Sequence, residues 1–158
     1  MPEILSLYNQ DKHSNASSSS KVGQIGEQLA ADFLLKKGFR PVAANFKIPI
    51  GRNRVGASVT GEIELSAYDG DVLCFVEVKT RSSDEFASPL AAVDLRKQRQ
   101  IIRAARMYRK VFRLNDVKFR YDVVSVILEN VSRPKIEIFK SYWSEIKFSK
   151  KVWFDDFR

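Results

Sequence analysis

The stretch VLCFVEVKT, residues 72–80, is apolar on both faces of any strand it forms, apart from Glu77 and Lys79. Side chains alternate along a strand. Leu73, Phe75, Glu77 and Lys79 therefore share one face, and Val72, Cys74, Val76 and Val78 the other. A run of this kind belongs to a central strand covered on both sides. An acid and a lysine inside it are costly to bury unless they are paired or bound to a metal. The preceding segment, GEIELSAYD at 61–69, alternates, with Glu62, Glu64 and Ser66 on one face and Ile63, Leu65 and Ala67 on the other. Asp69-Gly70 between the two segments is a hairpin turn signal. A two-residue loop there pairs Tyr68 with Asp71, Glu64 with Phe75 and Glu62 with Glu77. Glu64 and Glu77 become diagonal neighbours on one face, about 7 Å apart, which suits a cation bridging two side chains.

Other elements follow from periodicity. Ile25, Leu29, Ala30, Phe33 and Leu34 recur at helical spacing, predicting a helix over about 22–37 with Gly38 as its C-cap. Residues 39–45 lead into or form a first strand. Residues 47–60 carry Pro49, Gly51 and Gly56, and read as a long hairpin or a mobile loop, basic through Lys47, Arg52 and Arg54. A second helix is expected over about 89–113. Its apolar face holds Ile101, Ala104, Ala105, Tyr108, Val111 and Phe112, opposite an arc of Arg96, Arg99, Arg103, Arg106, Lys110 and Arg113. Residues 118–128 and 135–140 read as strands. The order helix, strand, hairpin, helix, strand, strand predicts an α/β fold with a mixed central sheet flanked by helices. Residues 1–20 read as a flexible tail, 21–140 as one domain and 141–158 as an aromatic tail.

A chain of 158 residues with 44% hydrophobic content can build a core, and its net charge of +8 favours a polyanionic partner. Residues 94–113 hold eight basic residues and one acid, so nearly all of the excess charge lies on one element. A helix face without interleaved acids suits the phosphate backbone of a nucleic acid. Lys97 lies off that arc, toward the apolar side, where it either approaches a scissile phosphate or packs its stem at the core edge. The single cysteine, Cys74, argues against a disulfide framework and fits a reducing cytoplasm. No signal pattern is visible, and no apolar run nears the roughly 20 residues of a membrane span. With His13 the only histidine, a metal would be held by carboxylates, which suits Mg²⁺ or Mn²⁺.

Carboxylates holding such an ion, with a lysine beside them, are the means of hydrolysing a phosphodiester. Glu77-Val78-Lys79 resembles the (D/E)-x-K element of the PD-(D/E)XK nuclease fold, with Glu64 at the place of its preceding acid. Gly26-Glu27, Asn45, Gly61-Glu62-Ile63-Glu64-Leu65, Phe75-Val76-Glu77-Val78-Lys79-Thr80-Arg81, Lys97 and Arg120-Tyr121-Asp122-Val123-Val124 together resemble the YraN-like family of predicted endonucleases, in order over about 21–140. The resemblance implies a restriction-endonuclease-like core, similar to archaeal Holliday-junction resolvases, and Mg²⁺-dependent cleavage. It implies Glu27, Glu64, Glu77 and Lys79 as the catalytic set and Glu64 and Glu77 as metal ligands. The family places Asp where this chain has Glu64, and the 47–60 segment is longer than usual.

The expected function is metal-dependent hydrolysis of DNA or structured nucleic acid, DNA being the favoured partner. Arg81, Arg96, Lys97, Arg99, Arg103, Arg106 and Lys110 are the candidate backbone contacts. The alternative is a nucleic-acid-binding module of the same fold with impaired catalysis. A homodimer follows from analogy with resolvases, whose substrates are two-fold. Glu62 is a further acid of the site or a solvated strand end. Asp122 is expected to be structural, pairing Arg120 or a loop amide.

Overall fold

The structure is a computed structural model and describes residues 18–82, 93–130 and 132–148. The first helix, α1 (Ser18–Lys36), starts four residues earlier than its apolar periodicity predicts. Residues 18–20 of the tail expected over 1–20 thus belong to the helix; the rest of that tail and the expected helix start near 89 lie outside the described residues. Gly38 closes α1 at φ +89°, with the Phe39 N–H reaching the Leu34 carbonyl at 3.0 Å. Ala30 and Leu34 are buried, but Ile25 is 44% exposed, so the apolar stripe is narrower than expected.

Five strands follow: β1 (Arg40–Arg52), β2 (Ser58–Asp69), β3 (Val72–Arg81), β4 (Phe119–Ile127) and β5 (Lys135–Trp143). Helix α2 (Leu95–Val111) lies between β3 and β4, and a short 3₁₀ turn spans Glu145–Phe148. The sheet order is β1-β2-β3-β4-β5, so the strand that is apolar on both faces is central. It runs parallel to β4, which requires the long crossover through α2, while every other pairing is antiparallel. Ile101, Ile102, Ala104, Ala105 and Tyr108 of α2 pack on one face of the sheet with Leu73, Phe75, Tyr121 and Val123. Ala30 and Leu34 of α1 pack on the other with Leu65, Cys74, Val76, Val78, Val124 and Val126. The fold is thus α/β, a five-stranded mixed sheet flanked by two helices, compatible with a restriction-endonuclease-like core.

Of the two forms expected for residues 47–60, the chain takes the hairpin, with β1 paired to β2 out to Arg52 and Ser58. The β2–β3 turn is Gly70-Asp71 rather than Asp69-Gly70, since Asp69 pairs with Val72. Gly70 takes φ +61° at the first turn position and Asp71 does not, the II′ arrangement. The register moves by two residues, which preserves the faces. The aromatic segment after Ser141 is built into the domain: Trp143 stacks on Tyr121 at 5.2 Å and Phe148 is buried under α2. Trp153, Phe154 and Phe157 lie outside the described residues.

Asp122, fully buried in β4, is structural as expected. It pairs with Arg120 Nε at 3.0 Å and accepts the Ser141 N–H at 2.9 Å, where a bulge interrupts the β4–β5 ladder. Removing it leaves Arg120 Nε and the Ser141 N–H without their acceptor, although Asp69 still holds Arg120 Nη2 at 2.7 Å. Asp122→Ala should cost about 2 kcal/mol in urea unfolding, and a loss below about 0.5 kcal/mol would show that the bulge holds without it.

Candidate active site

Glu77 is carried by the central strand on the face beneath α2, after Leu73 and Phe75, and is only 2% exposed. Glu64 comes from β2 at the place where β2 leaves β3. The paired register ends at Leu65 and Val76, so its next step sets Glu64 opposite Glu77 rather than diagonal to it. The Val78 N–H donates to Glu64 Oε2 at 2.7 Å instead of to a strand carbonyl. The carboxylate fills the gap that the parting strands open.

Simple alternation fails at this point. Leu65 packs on the α1 side, whereas Ile63, two residues away, packs on the α2 side. Their β1 partners, Ala44 and Phe46, change sides in the same way. Between them Asn45 sits at φ +50°, a left-handed conformation in which Asn is among the tolerated residues. The local reversal turns β1 and β2 over together. Glu62, adjacent to Ile63 in β2, alternates to the opposite side, so the expected shared face of Glu62, Glu64 and Ser66 does not form.

Two lysines meet Glu77. Lys79 Nζ, from the same strand face, and Lys97 Nζ, from the first turns of α2, each lie 3.5 Å from Glu77 Oε1. Both are ion-pair contacts too long for a good hydrogen bond, and Glu77 Oε1 has no hydrogen-bond partner among the described residues. Burial pushes the Glu64 carboxyl up to about 8, with the Glu77 charge adding to it and the Val78 N–H opposing; Glu27 raises it further. Burial also pushes Glu77 up, against Lys97 and then Lys79. Two facing carboxyls that resist ionising together are relieved by a divalent cation.

Glu27 enters from α1. A methyl group on Gly26 would overlap the Thr80 side chain, so only glycine lets α1 approach β3 this closely. That contact brings Glu27 near enough to act on Glu64. Among the described residues no three acidic, histidine or cysteine side chains converge as a closed metal cage. The facing pair instead has the donor set of an Mg²⁺ site, which uses one or two carboxylates and leaves other positions to water and substrate. Glu77 Oε1, ion-paired but without a hydrogen bond, fits such a ligand, and Ser66 Oγ and Gln98 Oε1 are also buried with no hydrogen bond among the described residues.

The basic arc of α2 is partly spent inside the fold. Arg106 and Arg109 both bind Glu145, at 3.1 and 2.8 Å, which also accepts the Tyr121 hydroxyl at 2.7 Å. Arg103 Nη2 donates to the Ile50 carbonyl at 2.8 Å. Arg99 lies over the Phe148 ring. Arg96 and Lys110 stand exposed, and Arg81 ends β3 two residues past Lys79. The structure therefore groups Glu27, Glu64, Glu77, Lys79 and Lys97, and leaves Arg96, Arg99, Arg103 and Lys110 along the neighbouring helix. Glu145 went unnoticed in the sequence because it lies more than thirty residues from the arginines it neutralises. Gly26 was visible beside Glu27, but its role needed the crossing partner.

The uncharacterised protein family UPF0102 matches residues 26–126. UPF0102 proteins of Solibacter usitatus, Trichlorobacter lovleyi and Dictyoglomus thermophilum are 44%, 40% and 36% identical to this chain. The alignments cover 73%, 73% and 70% of it, and 80%, 84% and 86% of those proteins. The crystal structure of SSO0001 overlays 84% of this chain and 56% of its own, with a TM-score of 0.41 at 13% identity. The chain belongs to the UPF0102 family.

The carboxyl pair sets a pH dependence. Between the ordinary value of 4.5 and the raised value of about 8, the folded chain keeps a proton on Glu64 that the unfolded chain has released. Stability therefore falls as pH rises through that window. Calorimetry of the metal-free protein should show Tm falling from pH 5 to 8.5, and Glu64→Gln should flatten the slope and melt above wild type at pH 8. A wild-type Tm that climbs over the same range would contradict the facing pair.

Proposed function

We propose that this chain is a metal-dependent endonuclease of the PD-(D/E)XK type, hydrolysing phosphodiester bonds of DNA or structured nucleic acid. The observation that carries this reading is the facing of Glu64 and Glu77 at the strand gap, with Lys79 against Glu77. Mg²⁺ or Mn²⁺ held by Glu64 and Glu77 would neutralise charge on the phosphate and acidify a bound water. Lys79 shares the Glu77 face and its side chain is partly exposed, so it can hold the attacking water and donate to the charged phosphate oxygens. Lys97 approaches the same carboxylate from α2 and can turn to an incoming phosphate once Glu77 is otherwise compensated. Glu27 adds negative charge at the α1 side of Glu64, favouring a doubly charged cation over a single ammonium. Arg96, Arg99 and Lys110 supply positive charge along α2 for the backbone beyond the reacting phosphate. Two-fold substrates would need two such sites, hence a homodimer. The buried free thiol of Cys74 suits a reducing cytoplasm.

One observation favours the alternative of a binding module with impaired chemistry: Glu64 spends Oε2 on the Val78 N–H, leaving one oxygen for an ion. A cleavage screen over duplex, branched and single-stranded DNA and RNA, with Mg²⁺ or Mn²⁺, separates the two. Cleavage should vanish with chelator. Lys79→Ala should slow it at least a hundredfold with binding kept within about threefold, and Glu77→Ala should remove the calorimetric Mn²⁺ signal as well. Wild-type protein that binds nucleic acid but cuts none of these shapes would establish the binding module instead.

A further inference from the structure

The segment expected as a long hairpin or mobile loop is a rigid arm. Ile48 and Ile50 anchor its base in the core beneath α2, and Arg103 clamps the Ile50 carbonyl. Beyond that, residues 51–58 are exposed throughout. The turn is closed by its own bonds: Asn53 N–H to the Ala57 carbonyl at 2.9 Å, and Gly56 N–H to the Asn53 carbonyl at 3.0 Å. Asn53 Oδ1 accepts the N–H groups of Val55 and Ala57, and Arg52 donates to the Gly56 carbonyl at 2.7 Å. This web holds Val55 in water, 87% exposed, at the apex. From 47 to 60 there are three basic residues and no acid. The side chains of Lys47 and Arg54 have no hydrogen bond or ion pair among the described residues. A fixed, cationic ribbon with an aliphatic tip loses little freedom when it is covered.

Its direction matters. β2 runs antiparallel to β3, so the Ser58 end of the arm extends from the sheet end at which β3 finishes in Lys79 and Arg81. From Glu64 to Ser58 is about 20 Å of extended chain at roughly 3.3 Å per residue, or about six base pairs of duplex at 3.4 Å each. A two-stranded ribbon fits the B-form major groove, about 12 Å wide. The A-form major groove of RNA is too deep and narrow to receive it.

We propose that the β1–β2 arm docks in the major groove of duplex DNA about half a helical turn from the carboxyl pair, with Lys47 and Arg54 on phosphates and Val55 against the groove floor. The proposal rests on the nucleic-acid reading of the site and names its form, a B-form duplex flanking the scissile bond. Metal-free fluorescence anisotropy on one labelled sequence, made as DNA duplex and as RNA duplex, tests it. Lys47→Ala with Arg54→Ala should weaken DNA binding about tenfold and lower the log–log salt slope by about two. Val55→Ser should weaken DNA binding severalfold with the slope unchanged. Neither should alter RNA binding, and both variants should melt as wild type does. Unchanged DNA affinity, an equal loss on RNA, or a wild type that binds no duplex overturns the arm. Arm variants that bind as wild type while cleavage persists would sink the arm alone. An arm effect in a protein that never cleaves would sink the nuclease reading alone.

Discussion

Everything at the centre of this molecule turns on two carboxyls, Glu77 buried and Glu64 half-buried, that share one gap between strands. Each β2–β3 ladder bond given up past Val76 forgoes about 1 kcal/mol of net stabilisation. The Val78 N–H recovers one bond, but from Glu64 rather than from the backbone. What remains is a pair of acids kept from full ionisation by burial and by each other, offset in part by two ammonium groups. A fold selected for stability alone would continue the ladder and place apolar side chains there. Retaining the gap is the sort of local cost that proteins concentrate at sites of chemistry.

How much of this could be read from the sequence depends on the range of the cause. That β3 is central was legible because it needs only period-two alternation with apolar residues on both faces. Glu64 and Glu77 were rightly placed on one side because a two-residue register error leaves every face unchanged. The register differs because the loop is Gly70-Asp71, one residue on from Asp69-Gly70, with glycine at its first position instead of its second. The reversal at Asn45 and Glu64 was illegible, since a left-handed non-glycine residue leaves no mark on hydropathy and flips every later side chain. Gly26 is similar: the need for glycine arises from Thr80, on a different element.

The charge on α2 shows the same limit in electrostatics. Taken along the helix alone, the arc is uniformly basic. Glu145 returns from beyond β5 to gather Arg106, Arg109 and the Tyr121 hydroxyl. Arg109 also lies over the Phe119 ring at 3.6 Å. These contacts dock the 3₁₀ turn and bring Phe148 into the core. Part of the positive arc is therefore mortar, and the charge left to face outward lies at Arg96 and Lys110, toward the two ends of α2, and on the β1–β2 arm.

The length of the acid at position 64 follows from the same geometry. The family resemblance puts aspartate there, and an extra methylene would displace a bound ion if nothing else changed. In this chain the longer side chain crosses the strand gap and closes on Val78. Aspartate would fall short by roughly the rise of one carbon–carbon bond, about 1.5 Å, leaving the Val78 N–H without that acceptor. Glutamate thus bridges the parted strands as well as lining the site, and the two roles compete for one carboxylate. Because the Val78 N–H holds Oε2, the Glu64 carboxylate is less free to turn, and under the proposed reading Oε1 is the oxygen left for an ion. The longer side chain exchanges freedom of the carboxylate for rigidity in the gap.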